Sequence, residues 1–251
     1  MREEFSNTVS SAFERVLESG EGRLPPLRAV DLIPNSVPSR TFSSAELNDL
    51  KIIHPQMKQK AALNAFRELR TKILQLSEGR NFVLMVSSLG AASSVAANLA
   101  AAFALDKSKA SLLIDCNLYE PSVCRLMTGE ATSGLTEYLS DTKMVSEEII
   151  YPSGILRVSL VPAGNNCEGA AEYFASQRME KLIQEVKRRY VNRFVIIDAP
   201  SLLESAEARI LSELSDFVVL AVPYGKVTEA QISSGIDAIP KEKLLGYIFN
   251  H

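Results

Sequence analysis

The amino-acid sequence predicts an α/β protein with a doubly wound, mostly parallel sheet and helices on both faces. Three observations support this fold class. Six short apolar runs recur along the chain, helical segments separate them, and some of the runs end at an aspartate, as at Asp115 and Asp198. Short apolar runs that alternate with helices are typical of parallel strands buried on both faces. The predicted strands are 82–86, 111–114, 156–162, 194–197, 217–222 and 244–249.

The segments around these strands have helical character. An alanine-rich run covers residues 91–104, and further helical segments cover 175–189 and 229–238. Another helix is predicted over residues 56–76, before the first strand, through the sequence AFRELRTKILQL. Helices in these positions would connect neighbouring parallel strands.

The first 60 residues differ in character from the rest of the chain. Apolar side chains within residues 9–17 recur at helical spacing, which predicts a short amphipathic helix. Four prolines follow between residues 25 and 38, and they predict an extended linker. We therefore divide the chain into an N-terminal arm, residues 1–60, and an α/β domain, residues 61–251. The residues of the predicted helical stripe are Val9, Phe13, Val16 and Leu17.

Composition argues against several classes of function. The net charge of −3 provides no electrostatic basis for binding nucleic acid. No apolar run approaches the roughly 20 residues that span a bilayer, and the first residues do not resemble a signal peptide. The cysteines, Cys116, Cys124 and Cys167, lack metal-ligand spacing, and the chain has two histidines. We expect a cytoplasmic protein with reduced thiols and no transmembrane segment.

The loop after the first predicted strand is rich in small residues. Residues 87–94 read SSLGAASS and precede the helical sequence VAANLA. Small residues between a buried strand and a helix are typical of a phosphate-binding loop, because the helix N-terminus offers free N–H groups and a partial positive charge.

Six sequence pieces, in order, resemble one family. They are FRELRT, VLMVSS, VAANLAAAFA, LLIDCNLYEPS, VPAG and FVIIDAPS. From about residue 64 to residue 250 the chain resembles bacterial tyrosine kinases of polysaccharide export, the Wzc/CapB/CpsD-like relatives of the MinD/ParA group. The resemblance implies a P-loop NTPase fold and ATP with Mg²⁺ as the family's cofactor. It also implies partners: a membrane-anchored, Wzz-like polysaccharide co-polymerase and homologous kinase subunits, which would hold the protein at the inner face of the membrane.

The resemblance assigns candidate roles to individual residues. Asp115 matches the first aspartate of the family's Asp-x-Asp motif and is the catalytic candidate, although an aspartate at a strand end also serves as a helix cap. Asp198 matches the Walker B aspartate. The candidate Mg²⁺ residues are Ser93, Asn117 and Asp198. The candidate nucleotide-binding residues are Gly90, Ala91, Ala92, Ser93, Ser94 and Asn250.

The departures from the family pattern are concentrated in the same motifs. Ala91 and Ala92 occupy the glycine and lysine positions of the loop, and the loop is shortened, which makes the Walker A motif degenerate. Alanine cannot replace the charge-assisted hydrogen bonds of lysine to phosphate, each worth roughly 1.5–3 kcal/mol. Asn117 replaces a carboxylate and weakens the expected Mg²⁺ site, and Tyr119 stands where the family has arginine.

A helical motif of the family is also altered. Arg67 and Arg70 match the arginines of a Glu-x-x-Arg-x-x-Arg motif that builds rings, so they are candidate oligomer or partner residues. Asn64 takes the place of the glutamate. The family phosphorylates a tyrosine-rich tail, and we expect this protein to lack one.

These features favour a kinase-like protein, a pseudokinase, as a regulatory or binding subunit in exopolysaccharide or capsule biosynthesis and polysaccharide export. One alternative is an active, divergent bacterial tyrosine autokinase or ATPase. The other is a MinD/ParA-like positioning protein. No cofactor is firmly expected, and weak binding of ATP or ADP with Mg²⁺ stays open.

Overall fold

One seven-stranded sheet organises the described part of the chain, which in this computed structural model comprises residues 40–78, 80–90, 94–166, 168–189 and 193–250. The strands are β1 (Val83–Ser88), β2 (Ala110–Asp115), β3 (Tyr151–Pro152), β4 (Val158–Val161), β5 (Arg193–Ala199), β6 (Phe217–Pro223) and β7 (Leu244–Asn250). They lie in the order β3-β4-β2-β5-β1-β6-β7. All pairings between them are parallel except that of β3 with β4. This confirms the predicted fold class.

The prediction for the third strand began too early. Leu156 is 55% exposed, and Arg157 has a φ of 64°, in the left-handed region that interrupts an extended strand. Strand β4 therefore begins at Val158. The antiparallel strand β3 was not predicted, because its two residues are too few to show an alternating pattern.

Helices cover both faces of the sheet. They are α1 (Ser44–Asp49), α2 (Lys60–Leu76), α3 (Val95–Ala104), α4 (Leu135–Ser140), α5 (Ala170–Phe174), α6 (Gln177–Arg189), α7 (Ala206–Leu214) and α8 (Glu229–Asp237), with short 3-10 helices at Val123–Leu126 and Ser146–Ile149. Helices α1, α4, α5 and α7 were not predicted from the sequence, because they are short and show few helical periods. Within the described residues, no helix has both the length and the apolar character needed to cross a membrane.

Alternation along the central strands separates two apolar cores. In β1, Val83 and Met85 belong to one cluster of buried side chains, while Leu84 and Val86 belong to the other. Helix α3 is buried along all of its residues, and its alanines let its backbone approach the sheet closely. The alanine-rich composition of this segment therefore reflects its central position, directly after the candidate phosphate loop.

Residues 40–59, which were assigned to the N-terminal arm, pack on the α/β domain. Ile52 and Ile53 are buried in the same apolar cluster as α3. The buried side chain of Asn98, in α3, accepts a hydrogen bond from the backbone N–H of Ile53 at 2.8 Å. The end of the arm is thus attached to the helix that follows the loop. The amphipathic helix predicted within residues 9–17 lies outside the described residues.

Candidate functional site

Two aspartates lie side by side at the carboxyl edge of the sheet. Asp115 ends β2, Asp198 lies near the end of β5, and the two are partners in the parallel register. On the other side of β5, strand β1 leads to Gly90 and the loop before α3. Ligands of open parallel sheets bind at this edge. The candidate site is therefore at the edge where the sequence analysis expected it.

The carboxylate of Asp115 holds the loop that follows β2, residues 116–122, here called the β2 loop. It is fully buried, and its Oδ2 accepts hydrogen bonds from the backbone N–H groups of Ser122 and Val123, both at 2.9 Å. Its Oδ1 accepts a third from the N–H of Asn117 at 3.2 Å. Burial raises the pKa of Asp115 to about 6, against these three hydrogen bonds, which lower it. Because Val123 begins a 3-10 helix, Asp115 acts as a cap.

Asp198 faces the same loop and carries a more strongly perturbed carboxyl group. Its Oδ2 accepts a hydrogen bond from the hydroxyl of Ser122 at 3.3 Å. Burial, together with the charge of Asp115, raises the pKa of Asp198 to about 8, although Ser122 and Arg125 act in the opposite direction. The pKa of Asp198 is therefore displaced toward the protonated form, and a protonated carboxyl group is a poor ligand for a hard cation.

A cleft of about 610 Å³ opens beside these aspartates, between the β2 loop and the start of α7. Four acidic side chains belong to its described lining, and no lysine or arginine does. The acidic residues are Glu120, Asp198, Glu204 and Glu207. The other described lining residues are Val86, Ser88, Gly90, Asn117, Tyr119, Ala199, Pro200, Ser201 and Ser205.

The two walls of the cleft meet through a hydrogen bond. The hydroxyl of Tyr119, on the β2 loop, donates to Oε1 of Glu207, in the first turn of α7, at 3.4 Å. The hydroxyl of Ser205, the N-cap residue of α7, donates to the other oxygen of Glu207 at 2.6 Å. The bond from Ser205, and more weakly that from Tyr119, lowers the pKa of Glu207, so this carboxylate is ionised at neutral pH.

The structure brings together only some of the predicted site residues. Gly90, Asn117 and Asp198 line the cleft, and Ser94 directly precedes α3. The loop residues Ala91, Ala92 and Ser93 lie outside the described residues, as does the side chain of Asn250, the last residue of β7.

The two candidate partner arginines on α2 differ in their surroundings. Arg67 is exposed, whereas Arg70 is partly buried and donates to the backbone carbonyl of Ala102 at 3.0 Å. Arg70 therefore caps the carboxyl end of α3 in its own domain. A role in a partner contact stays a prediction for both residues.

The wall of the cleft that α7 supplies was not predicted from the sequence. Glu204, Ser205 and Glu207 were not singled out, because α7 itself was not predicted. A signal was present: a serine followed two residues later by a glutamate is a common start of a helix.

The described lining suits a nucleoside triphosphate poorly. Such a ligand carries several negative charges, and relatives of this fold class bind it with lysine and a cation. Here the described side chains offer four carboxyl groups and no cationic group. The oxygens of Asp115 already accept backbone N–H groups. The described side chains of the lining therefore offer a triphosphate no cationic partner.

Comparisons with known proteins identify the family. No protein-family model matches the chain. The tyrosine-protein kinase YwqD of Bacillus subtilis (strain 168) is 33% identical over 202 residues, which cover 77% of this chain and 84% of that protein. The succinoglycan biosynthesis transport protein ExoP of Rhizobium meliloti (strain 1021) is 27% identical over 166 residues, 62% of this chain but only 20% of ExoP.

Solved structures agree on the fold. The kinase domain of the Escherichia coli tyrosine kinase ETK has a TM-score of 0.70 at 22% identity, covering 88% of this chain and 90% of that one. The Pyrococcus furiosus cell division ATPase MinD has a TM-score of 0.54 at 19% identity, covering 67% and 71%. The chain has the α/β fold of MinD/ParA-type P-loop proteins, and by its identity to YwqD it belongs to the family of bacterial tyrosine-protein kinases.

Proposed function

We propose that this chain is a kinase-like regulatory or binding subunit in exopolysaccharide or capsule biosynthesis and export, with little or no phosphotransfer of its own. It would act with a membrane-anchored polysaccharide co-polymerase, which would hold it at the inner face of the membrane. The relationship to a tyrosine kinase and to a succinoglycan transport protein supports this setting.

One observation carries the proposal: the described lining of the cleft contains four acidic side chains and no lysine or arginine. A site that transfers a phosphoryl group must stabilise negative charge on the phosphates, and it does so with cations and N–H donors. The sequence of the loop agrees, because Ala92 stands at the position of the family's lysine. Carboxylates in the cleft would instead repel a polyphosphate.

The metal-binding residues support the same conclusion. Asn117 offers a neutral amide where the family has a carboxylate, and its side-chain oxygen accepts a hydrogen bond from the N–H of Glu120 at 3.4 Å. Asp198 has its pKa raised to about 8. A neutral amide and a carboxyl group displaced toward its protonated form are both weaker ligands for Mg²⁺ than an ordinary carboxylate.

A second candidate, an active divergent tyrosine autokinase, is favoured by the aspartate pair. Asp115 and Asp198 remain in register on adjacent strands, where the family motifs have their acidic residues. A bound cation would lower the pKa of both carboxyl groups. This candidate predicts measurable nucleotide binding, which the pseudokinase does not.

Contact with a partner would involve the exposed face of α2. Arg67 is exposed on this helix, whereas Arg70 is engaged with the carbonyl of Ala102. We therefore expect Arg67 to contribute more than Arg70 to any contact with a co-polymerase or a homologous kinase subunit. Arg67→Ala should then no longer co-purify with that partner, while its free energy of unfolding stays unchanged.

Isothermal titration calorimetry of the full chain with ATP and with ADP, each with Mg²⁺, separates the two candidates. A parallel incubation with labelled ATP and Mg²⁺ measures phosphotyrosine, with an active family member as the positive control. We expect neither binding at micromolar nucleotide nor label. Label on a tyrosine, abolished by changing that tyrosine to phenylalanine, would establish the autokinase instead.

Restoring the loop lysine alone is a sharper version of this test. We expect Ala92→Lys to remain inactive, because the loop stays short and Asn117 stays neutral. Combining Ala92→Lys with Asn117→Asp should bring back weak nucleotide binding before any phosphotransfer. Full activity of Ala92→Lys would mean that a single lost lysine, and not the whole site, separates this chain from its active relatives.

A further inference from the structure

A contact between two side chains from different parts of the chain joins the two walls of the cleft, and its tyrosine is 59% exposed, on the solvent-facing side. Tyr119 projects from the β2 loop and Glu207 from the first turn of α7, and both line the cleft. The phenol donates to the Glu207 carboxylate at 3.4 Å. By the family resemblance, the tyrosine stands where an arginine is expected. A cationic side chain is thus replaced by a neutral one that turns toward a carboxylate.

Both ends of this contact are anchored from behind. The β2 loop is held by Asp115, which accepts the N–H groups of Ser122 and Val123 at 2.9 Å. On the other wall, the hydroxyl of Ser205 donates to Glu207 at 2.6 Å. Each wall therefore has hydrogen bonds of its own, in addition to the contact between Tyr119 and Glu207.

The electrostatic environment of the contact is negative. Hydrogen bonds, chiefly from Ser205, lower the pKa of Glu207 and keep it ionised at neutral pH. Glu120 and Glu204 belong to the same lining. A polyphosphate that enters would pass within several ångströms of these carboxylates. In partly solvated surroundings, each such like-charge pair lowers affinity by about threefold to tenfold.

We propose that Tyr119 and Glu207 form a gate that excludes polyphosphates from the cleft, the phenol by covering the mouth and the carboxylate by its charge. This inference rests on the proposed loss of nucleotide binding. It identifies Tyr119 and Glu207 as the pair of side chains that determines which ligands enter the cleft. The gate acts in addition to the missing loop lysine, so it can be tested independently of nucleotide binding.

Charge-selective labelling of a cysteine inside the cleft measures the gate directly. The background carries Cys124→Ser and Cys167→Ser, and leaves the fully buried Cys116 in place. Asn117→Cys supplies the probe, and Ser88→Cys, an isosteric change at a buried lining position, supplies a second one. Intact-mass spectrometry then gives the rates with an anionic sulfonate methanethiosulfonate and with a neutral one of similar size. Rates on the urea-unfolded protein provide the reference.

The gate predicts that the ratio of anionic to neutral rates is at least about tenfold lower in the folded than in the unfolded protein. Glu207→Gln should raise this ratio severalfold, since it removes the charge and keeps the shape. Tyr119→Phe removes the hydrogen bond that holds the ring toward Glu207, so it should raise both rates. The matched controls, Glu180→Gln on α6 and Tyr224→Phe after β6, lie outside the described lining and should change neither rate.

Equal ratios in folded and unfolded protein, or rates unchanged by both Glu207→Gln and Tyr119→Phe, would overturn the gate. Calorimetry of the unmodified chain with ATP and Mg²⁺ keeps the two ideas apart. Binding at micromolar nucleotide would remove the proposed function whatever the labelling shows. If ATP does not bind and the labelling shows no charge selectivity, the proposed function rests on the loop sequence alone, and only the gate is ruled out.

Discussion

Charged side chains are arranged differently at the two edges of the central sheet: the amino edge, where the parallel strands begin, and the carboxyl edge, where they end. At the amino edge, cations meet carboxylates or the carboxyl ends of helices. Lys187 Nζ lies 2.7 Å from Asp216, and Lys243 donates to the carbonyl of Glu213 at 2.8 Å. At the carboxyl edge, Asp115 and Asp198 are adjacent, and their described hydrogen-bond donors are N–H groups and a hydroxyl.

This difference separates stability from function. The amino edge satisfies helix carboxyl ends, as where Arg157 binds the carbonyl of Ala104, and such contacts are favourable at every pH near neutral. The carboxyl edge concentrates like charges in a cleft, which costs stability and is typical of functional sites. In this chain, protonation of Asp198 and the hydrogen bonds from the β2 loop and Val123 to Asp115 offset part of that cost.

The largest expected effect comes from removing the aspartate that supports the β2 loop. Asp115→Ala leaves three backbone N–H groups without their acceptor, and we expect a loss of about 3 kcal/mol in the free energy of unfolding. Asp115→Asn keeps an acceptor oxygen and should lose about 1 kcal/mol. Urea unfolding at pH 7 measures both values.

The control for this prediction is Asp106→Ala. Asp106 is exposed and accepts the N–H of Ser108 at 2.9 Å, so its loss should cost well below 1 kcal/mol. A similar small loss for Asp115→Ala would mean that the loop does not depend on this carboxylate, and the comparison between the two edges would lose its main structural support.

The sequence predicted the edge and the identity of the aspartates, but not what they do there. Apolar runs that end at Asp115 and Asp198 were sufficient, because strand direction brings the two ends together. The contact of Tyr119 with Glu207 joins residues 88 positions apart. No local pattern encodes such a contact, since it depends on how α7 packs beside the β2 loop. The perturbed pKa values likewise depend on burial, which a sequence does not specify by itself.

An intermediate effect is expected for the pH dependence of stability. Folding raises the pKa of Asp198 from an ordinary value of 3.8 to about 8. The contribution of the protonated Asp198 side chain to the free energy of unfolding is therefore complete below about pH 4 and is lost as the pH rises through 8. Because Asp198 is partly exposed, we expect a loss of only about 1–2 kcal/mol between pH 5 and pH 9.

Asp198→Asn tests the origin of this loss. The variant keeps the shape of the protonated side chain and cannot ionise, so its unfolding free energy should fall less between pH 5 and pH 9. Above pH 8 it should be more stable than the unmodified protein. Urea unfolding across this range measures the slopes, with Glu229→Gln at an exposed position as the control. Identical slopes in Asp198→Asn and the unmodified protein would show that this carboxyl group is ionised throughout.

The smallest effect is expected at the amino edge, where charges are paired. Lys187→Met removes an ion pair whose side chains are 35% and 37% exposed, and we expect a loss of about 0.5–1 kcal/mol. The loss stays small because Asp216 continues to accept the N–H of Val83 at 2.7 Å, and because its carboxylate remains in contact with water.

Salt distinguishes this pair from the acidic edge. In 1 M NaCl the difference between Lys187→Met and the unmodified protein should shrink, since salt screens partly exposed ion pairs. The control is Lys181→Met on the same helix, at an exposed position, with an expected change within about 0.5 kcal/mol. Screening should act in the opposite sense at the carboxyl edge, where it weakens repulsion between like charges. If Lys187→Met costs more than about 2 kcal/mol and this cost does not depend on salt, Lys187 and Asp216 behave as a buried ion pair. The contrast between paired charges at the amino edge and adjacent like charges at the carboxyl edge would then be lost.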